Sequence, residues 1–470
     1  WRFKAEKIKI KSNTLTSDKI IFTNDAYNKP QFLFISKKFS GFIENDKLKL
    51  ISRNSWINLD NKIKFPIGRR SIVDREPISR WGFGSDQDKD GIYISRSFDS
   101  IKFSDNYNMK IQPYLLLQRW SKDSTNAFRS KGSSILSPKV KSEISASDIF
   151  ALEVELNGKI NGWDLKALSS LNSLNLNRLS ESNTSKISLL RKIDLTPKDP
   201  KNDTFNTDKM LFENSLDLLF SSSYREKVYK GYDGESEIYF GNLFSIANRK
   251  EWSKNDVKTN LSIISDFGEY KSKSKKHNEL KTYFRNAYSM NFDYQFPLYR
   301  WFDDENIDKN YKYTPTVIKQ GIDWNSSIKA AIFLYSNDTN QSIFSISTGP
   351  SITFGGLKKD FLNYTNFKVI GSYFIKGGES PFEFDDINDT PRIQLKLEQQ
   401  IYGALILNYN GYLNVDSQDE KYGQLEEETY GLDIKRRAYS IGAYYKPSNE
   451  ELGIQFKIFN FGYSGIPDKF

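Results

Sequence analysis

Four places in this 470-residue chain hold residues whose types and spacing invite a chemical reading. Asp86, Asp88, Asp90 and Gly91 repeat the first half of a calcium loop, D-x-D-x-D-G, in which alternate carboxylates would face one cation. Such a loop closes with Glu at its twelfth position, where this chain has Ser97, and Ile92-Tyr93-Ile94 after Gly91 reads as a strand, not a helix. An acidic turn without metal is the expectation, because Asp and Gly are ordinary turn formers. The sole histidine, His277, lies in Lys-Ser-Lys-Ser-Lys-Lys-His-Asn, a solvated stretch with no apolar wall to tune a base. Arg69, Arg70 and Arg75 cluster, but a nucleic-acid site needs a basic patch with stacking rings. The net charge of 68 − 59 = +9 is spread along the chain, so no nucleic-acid partner is expected, and an anionic phosphorylated lipid suits these cations better. Pro113 interrupts the strand-like run Met109 to Trp120. It marks either an edge or weak seam, or a harmless bulged or non-bonded position; both readings stand. With no phosphate-binding Gly-Lys motif either, the chain reads as a non-enzyme without catalytic residues, metal or cofactor.

The elements that carry these residues are constrained by composition. There is no cysteine, which excludes disulfide staples, thiolate metal sites and thiol nucleophiles. The mean hydropathy is −0.62. The longest apolar run, Ala330 to Tyr335, falls far short of the ~18–20 residues of a membrane helix. Yet Phe 34, Tyr 27 and Trp 8 make up 15% of the chain, so many rings must be buried in β cores or shown to something greasy.

Residues 1–67 read as short strands with turns, a small stacked β unit or jelly-roll piece. The chain opens on Trp1 in mid-strand, and the unit is expected to be partial. From Gly68 to residue 470 the strands lengthen and alternate strictly. Phe150, Leu152, Val154 and Leu156 alternate with Ala151, Glu153, Glu155 and Asn157, and Tyr288, Met290, Phe292, Tyr294 and Phe296 alternate with polar residues or Ala. Ile393, Leu395 and Leu397 do the same between Arg392, Gln394, Lys396 and Glu398. About 16–20 such segments, apolar on one face and ionic on the other, are the pattern of an antiparallel transmembrane β-barrel, which must close because lipid satisfies no open edge. Rings at strand ends, such as Tyr299, Trp301 and Phe302, fit an interfacial girdle. The alternative is a large soluble β protein, whose half-buried sheets also alternate. Short turns are expected at Asn157-Gly158 and Pro447 to Glu450; Lys271 to Lys281 is a basic loop and Glu379 to Asp389 an acidic one.

Particular patches resemble the LPS-assembly protein LptD (OstA) family, closest to its divergent cyanobacterial branch. They are Trp1-Arg-Phe-Lys-Ala5, Thr23-Asn-Asp25, Phe65-Pro-Ile-Gly-Arg-Arg70, Trp81-Gly-Phe-Gly84, Asp90-Gly-Ile-Tyr-Ile94, Leu397-Glu-Gln-Gln-Ile-Tyr-Gly403 and Ser440-Ile-Gly-Ala-Tyr-Tyr445. The likeness spans nearly the whole chain but is specific only there. It implies an outer-membrane translocon that takes lipopolysaccharide from a periplasmic bridge protein and releases it sideways between the first and last barrel strands. Residues 1–67 would be the periplasmic domain, joined through Pro66, Gly68, Arg69 and Arg70. Trp1, Phe3, Phe32, Phe34, Leu48, Leu50 and Trp56 would line an acyl-chain groove. Gly91, Ile92, Tyr93, Ile94 and Phe98 would face Gly453, Ile454, Phe456 and Ile458 across the lateral gate, with Pro113 weakening the strand beside it. The implied partners are lipopolysaccharide, the bridge protein, the outer-membrane bilayer and a lipoprotein that plugs the lumen. The chain departs from that pattern in lacking the cysteines that tie domain to barrel, and its barrel is smaller. The competing functions are a general diffusion porin, or a soluble β-rich carbohydrate-binding or adhesive protein.

Overall fold

The computed structural model describes residues 2–11, 14–25, 27–44, 47–73, 81–86, 89–98, 100–104, 106–128, 136–137, 139–196, 211–229, 235–254, 256–301, 313–314, 318–357, 359–387 and 390–458. Two sheets carry nearly all of them. The first has six antiparallel strands, β1 (Arg2–Ala5), β2 (Lys9–Lys11), β3 (Thr14–Thr23), β4 (Phe32–Glu44), β5 (Lys47–Leu59) and β6 (Ile63–Val73). They run in the order β1-β3-β4-β5-β6, with β2 also on β3. Two bulges bend this sheet. The β4–β5 ladder slips around Lys37 and the β5–β6 ladder between Ser52 and Trp56. Lys38 and Asn54 take up the extra length at φ 60° and 50°, as a bulge requires. The bend brings Phe39 to 5.2 Å from Phe22, whose ring also lies 6.1 Å from both Phe3 and Phe34. One face of the sheet is thereby a row of phenylalanines.

Pro66, Gly68 and Arg70, expected at a junction with Arg69, lie within β6 opposite Trp56, Ser55 and Ser52. Their backbone is ladder, not linker, and the small sheet keeps its chain to Val73, beyond the boundary expected at residue 67.

The second sheet is a closed barrel. It comprises β7 (Trp81–Asp86), β8 (Gly91–Arg96), β9 (Ile101–Ser104) and β10 (Tyr107–Leu116), then, after the far-mouth segment, β13 (Phe150–Ile160) to β27 (Glu451–Ile458). That segment holds α1 (Leu117–Lys122) and the two-residue ladder of β11 (Ser124–Thr125) with β12 (Ser142–Glu143). The order runs from β10 through β13 and each later strand to β27, then β7, β8 and β9. Taking β8 and β9 as halves of one interrupted strand, eighteen antiparallel strands form the wall among the described residues. The longest lie together: β16 (Leu211–Tyr229), β17 (Glu235–Lys254), β18 (Val257–Lys273) and β19 (Leu280–Arg300) have 19, 20, 17 and 21 residues.

Register sorts the two faces. Leu152, Val154 and Leu156 of β13 lie opposite Pro113, Ile111 and Met109 of β10, whereas Glu153 and Glu155 lie opposite Gln112 and Lys110. The apolar set faces outward. Trp163, Phe220, Phe244, Phe267 and Tyr288 make a chain of ring contacts around the outside at centroid spacings of 4.6–6.3 Å. Tyr373 and Ile375 are 63% and 58% exposed. Rings and aliphatics stand outward in this number instead of packing between sheets, which is consistent with an outer-membrane barrel. Ion pairs sit on the inner face, among them Lys110–Glu155 at 3.4 Å, Arg249–Asp217 at 3.1 Å and Arg300–Asp323 at 2.6 Å. No helix among the described residues is long and apolar enough to cross a membrane.

Two turns differ from expectation. β13 continues past Asn157-Gly158 and turns at Asn161-Gly162, both at positive φ (47° and 83°), the pairing that a tight hairpin favours. Gly158 is small for another reason: the Tyr107 ring would stand 2.4 Å from its Cβ. The turn at Pro447–Asn449 forms as expected, but at the mouth opposite the small sheet. At that far mouth the basic and acidic loops mate. Lys273 pairs with Glu383, Lys275 with Asp386 and Lys276 with Glu379, while Phe382 and Phe384 pack on Ile238, Tyr270 and Tyr335.

Candidate functional site

The join between the first and last strands is built from unusually little. Among the described residues β27 meets β7 through two residue pairs, Leu452 with Ser85 and Gly453 with Gly84. By contrast, β16 and β17 share eighteen. Both central residues are glycines, and each lies under a tyrosine. A Cβ on Gly84 would come within 2.7 Å of the Tyr93 hydroxyl and 3.3 Å of the Leu452 carbonyl; one on Gly453 would stand 2.4 Å from the Tyr444 ring. The bare backbone edges therefore touch without interlocking side chains. Tyr444 donates to Glu451 at 2.7 Å, and Lys446 pairs with the same carboxylate at 2.8 Å.

The β7–β8 hairpin is held firmly only at its tip. The turn needs Gly91 at φ 110°, where a Cβ would collide with Gln118 Oε1 at 1.8 Å. Asp90 accepts from Arg119 Nε at 2.7 Å, from the Thr125 hydroxyl at 2.5 Å and from the Asn126 amide at 2.9 Å. Arg119 is fully buried and also donates to the carbonyls of Asp148 and Asn172 at 2.8 Å. Asp90 is thereby held as a structural anchor of the turn, and Asp88 of the acidic motif lies outside the described residues. Lys89 bridges Asp86 at 2.8 Å and Glu153 at 3.8 Å. Burial pushes its ammonium down, but these two carboxylates outweigh that and hold it above its ordinary value. Asp148 is pushed up by burial yet held below the ordinary carboxylate value by hydrogen bonds from Ser173, Ser145 and Asn175.

Away from the tip the hairpin is loose on its second side too. Among the described residues β8 pairs with β10 through Tyr93, Ile94 and Ser95, and β9 through Ile101, Lys102 and Ser104, with the Phe98 amide donating to the Ile111 carbonyl at 3.0 Å between them. Pro113 lies in the gap between these two stretches. Without an N–H it cannot extend the ladder, although on its other side it keeps register with Leu152.

The strands expected to face one another across a lateral gate are not neighbours. Gly91, Ile92, Tyr93 and Ile94 belong to β8, one strand in from the join; Phe98 follows β8 and is exposed. Gly453 and Ile454 lie on β27, as do Phe456 and Ile458, whose side chains lie outside the described residues. β27 faces β7, not β8, because the tight Asp86–Gly91 turn folds β7 back between them. Gly84 and Ser85 stand at the join itself and were not among the expected gate residues. Their signal was the short alternation Trp81-Gly-Phe-Gly-Ser, too brief to stand out as a separate strand.

The small sheet docks beside this join. Phe32, Phe34, Ile57 and Leu59 bury against Ala438 and Tyr439, with Phe22, Phe65 and Ile441 around them. Arg437, in the turn between β25 (Leu425–Lys435) and β26 (Tyr439–Lys446), inserts into the sheet's end. Its Nε donates to both oxygens of Asp25 at 2.8 Å, its Nη2 to the Lys29 carbonyl at 2.9 Å, and its guanidinium lies 4.5 Å over Tyr27. Arg436 and Tyr439 both reach Asp60 at 2.8 Å. Burial lowers the Arg436 guanidinium, but Asp60 outweighs it and raises it.

Of the expected groove residues, Phe3 stands 53% exposed on the phenylalanine face, and Phe32 and Phe34 are sealed in the docking interface. Trp56 points to the opposite face, since its neighbour Ile57 pairs with Phe34. Trp1 lies outside the described residues, as do the side chains of Leu48 and Leu50. The groove set thus mixed two faces, because the bulges were not legible as breaks in alternation. What remains open is the Phe3 end of the apolar face; Phe34 and Tyr439 are buried where the sheet meets the outer side of β26, next to the last strand.

A model of a family described as a protein of unknown function (DUF3769) matches residues 1–462. No curated protein matches the chain.

Proposed function

We propose, from the premise that this chain belongs to the DUF3769 family, that it is an outer-membrane translocon for lipopolysaccharide. Acyl chains pass along the phenylalanine face of the small sheet and reach the bilayer through the β7–β27 join, while the saccharide travels on the lumen side. The small sheet lies in the periplasm and receives cargo from a bridge protein. No covalent chemistry is involved. The resemblance to the LptD family supports this reading, and one structural observation carries it. An open strand edge is what a membrane barrel can least tolerate, yet this barrel closes with two residue pairs at a bare Gly84–Gly453 contact. A feature that weakens the fold without a compensating gain marks a functional demand. A general diffusion porin needs neither such a join nor an apolar sheet bolted beside it.

The test uses the absence of native cysteine. Ser85→Cys with Leu452→Cys places thiols on facing residues of the join. Oxidation should stop delivery of lipopolysaccharide to the cell surface, and reduction should restore it. Export at the normal rate through a fully crosslinked join would defeat the proposal.

A further inference from the structure

We infer that the lumen wall formed by β18 to β24 binds the saccharide part of the cargo as an anion, that is, a sugar carrying carboxylate or phosphate. The inference rests on the translocon reading and specifies its substrate class. The wall comprises β18, β19, β20 (Gly321–Tyr335), β21 (Asn340–Phe354), β22 (Thr365–Gly378), β23 (Arg392–Tyr402) and β24 (Leu405–Asn414). It lines an open cavity of about 550 Å³.

Charge is the first argument. Lys258, Lys329, Lys368 and Arg392 line this cavity, with Asp293 as the single carboxylate among its lining residues. Several lumen cations are paired, Lys186 with Glu226 at 2.6 Å, Arg225 with Glu237 at 2.7 Å and Arg249 with Asp217 at 3.1 Å, and at the wall itself Arg392 lies 3.6 Å from Glu427 and Lys396 3.8 Å from Glu398. Lys258, Lys329 and Lys368 have no carboxylate partner among the described residues. Moreover, Lys368 lies directly opposite Lys396 in register. Both face the lumen, because their neighbours Phe367 and Leu397, also opposite one another, belong to the outward apolar set. Like charges placed opposite across two strands destabilise the pair. An anion between them would turn that cost into attraction.

Shape is the second argument. The Arg392 guanidinium lies 4.5 Å over Tyr412 and 5.6 Å from Phe374, making a flat platform. Gln394 is fixed beside it by hydrogen bonds to Asn410 and Tyr412. Rings for the apolar faces of a sugar, with amides and hydroxyls for its oxygens, are the mix that a small-molecule site uses. The cavity is several times larger than one inorganic anion needs.

The test is calorimetric titration of the full chain in detergent, with trigalacturonate, maltotriose, glucose 6-phosphate and inorganic phosphate as probes. Trigalacturonate should bind at least about tenfold more tightly than maltotriose, the worth of one charge-assisted hydrogen bond, and should weaken as salt rises. Glucose 6-phosphate should exceed inorganic phosphate. The variant K329Q/K368Q/K396Q should lose about tenfold for the acidic sugars without a fall in its thermal midpoint. Should the triple variant not fold, K368Q alone carries the same readout. Equal binding of acidic and neutral sugars, equal binding of glucose 6-phosphate and inorganic phosphate, or unchanged binding by the variant would overturn the inference. The crosslinked Ser85→Cys/Leu452→Cys protein should bind these probes normally, so failure of the wall and failure of the translocon reading give different results.

Discussion

The barrel has a strong side and a weak side, and the contrast says more than either alone. Between β16 and β19 the ladders hold sixteen to eighteen residue pairs each, and the outer rings touch from strand to strand. At the β7–β27 join two pairs remain. With a net ~0.5–1.5 kcal/mol per hydrogen bond, the join is worth only a few times thermal energy, and the opposite wall many times more. Strand length sets the difference. β17 has 20 residues, about 65 Å at ~3.3 Å each, whereas β7 has six. The two long charged loops follow the strong side, mating over its far mouth. The weak side is instead fastened at two points, the Asp90–Arg119 tip and the Arg437–Asp25 bolt.

The largest expected effect comes from the bolt. Arg437→Ala leaves Asp25 buried and unpaired, which should cost ~3–5 kcal/mol at the interface. Protease sensitivity of the small sheet should rise sharply while the barrel stays resistant, sharpening the distinction between fastened and unfastened parts. Next is Gly84→Val, which forces a branched side chain against Tyr93 and the Leu452 carbonyl. It should cost ~1–3 kcal/mol by overpacking and raise ion leakage in planar bilayers. A smaller effect follows acid. The folded pKa of Asp148 is depressed, so its stabilisation is present above the unfolded value of ~3.9 and lost as pH falls below it through the folded value. Hydrogen exchange should show the 89–91 tip and the 145–148 turn loosening over that window, and Asp148→Asn should abolish the pH dependence. The smallest is Phe244→Ala on the strong side, expected to cost ~0.5–1.5 kcal/mol of ring contact with no change in export. An export defect there would break the contrast.

Much of this barrel was legible in the sequence, because alternation is a local property. Phe150 to Asn157 and Ile393 to Glu398 announce two faces without reference to any partner. Strand pairing is not local, which is why the join was misplaced by one strand: Trp81 to Asp86 is too short to read as a strand of its own. The expected groove residues divide between two faces for a related reason. Lys38 and Asn54 sit at positive φ in bulges, and neither residue type announces one as glycine would. The basic and acidic loops were visible as charge runs, but their mating joins residues about a hundred positions apart. The bolt was legible only as Thr23-Asn-Asp25, with nothing to tie it to Arg437.

The central claim is that the wall opens at β7–β27 and nowhere else. Hydrogen–deuterium exchange of the protein in lipid nanodiscs tests it at backbone resolution. The account predicts that amides of 82–86 and 452–456 exchange orders of magnitude faster than those of 240–250 and 260–270. Equal protection of both sets, or faster exchange on the β16–β19 side, would contradict it.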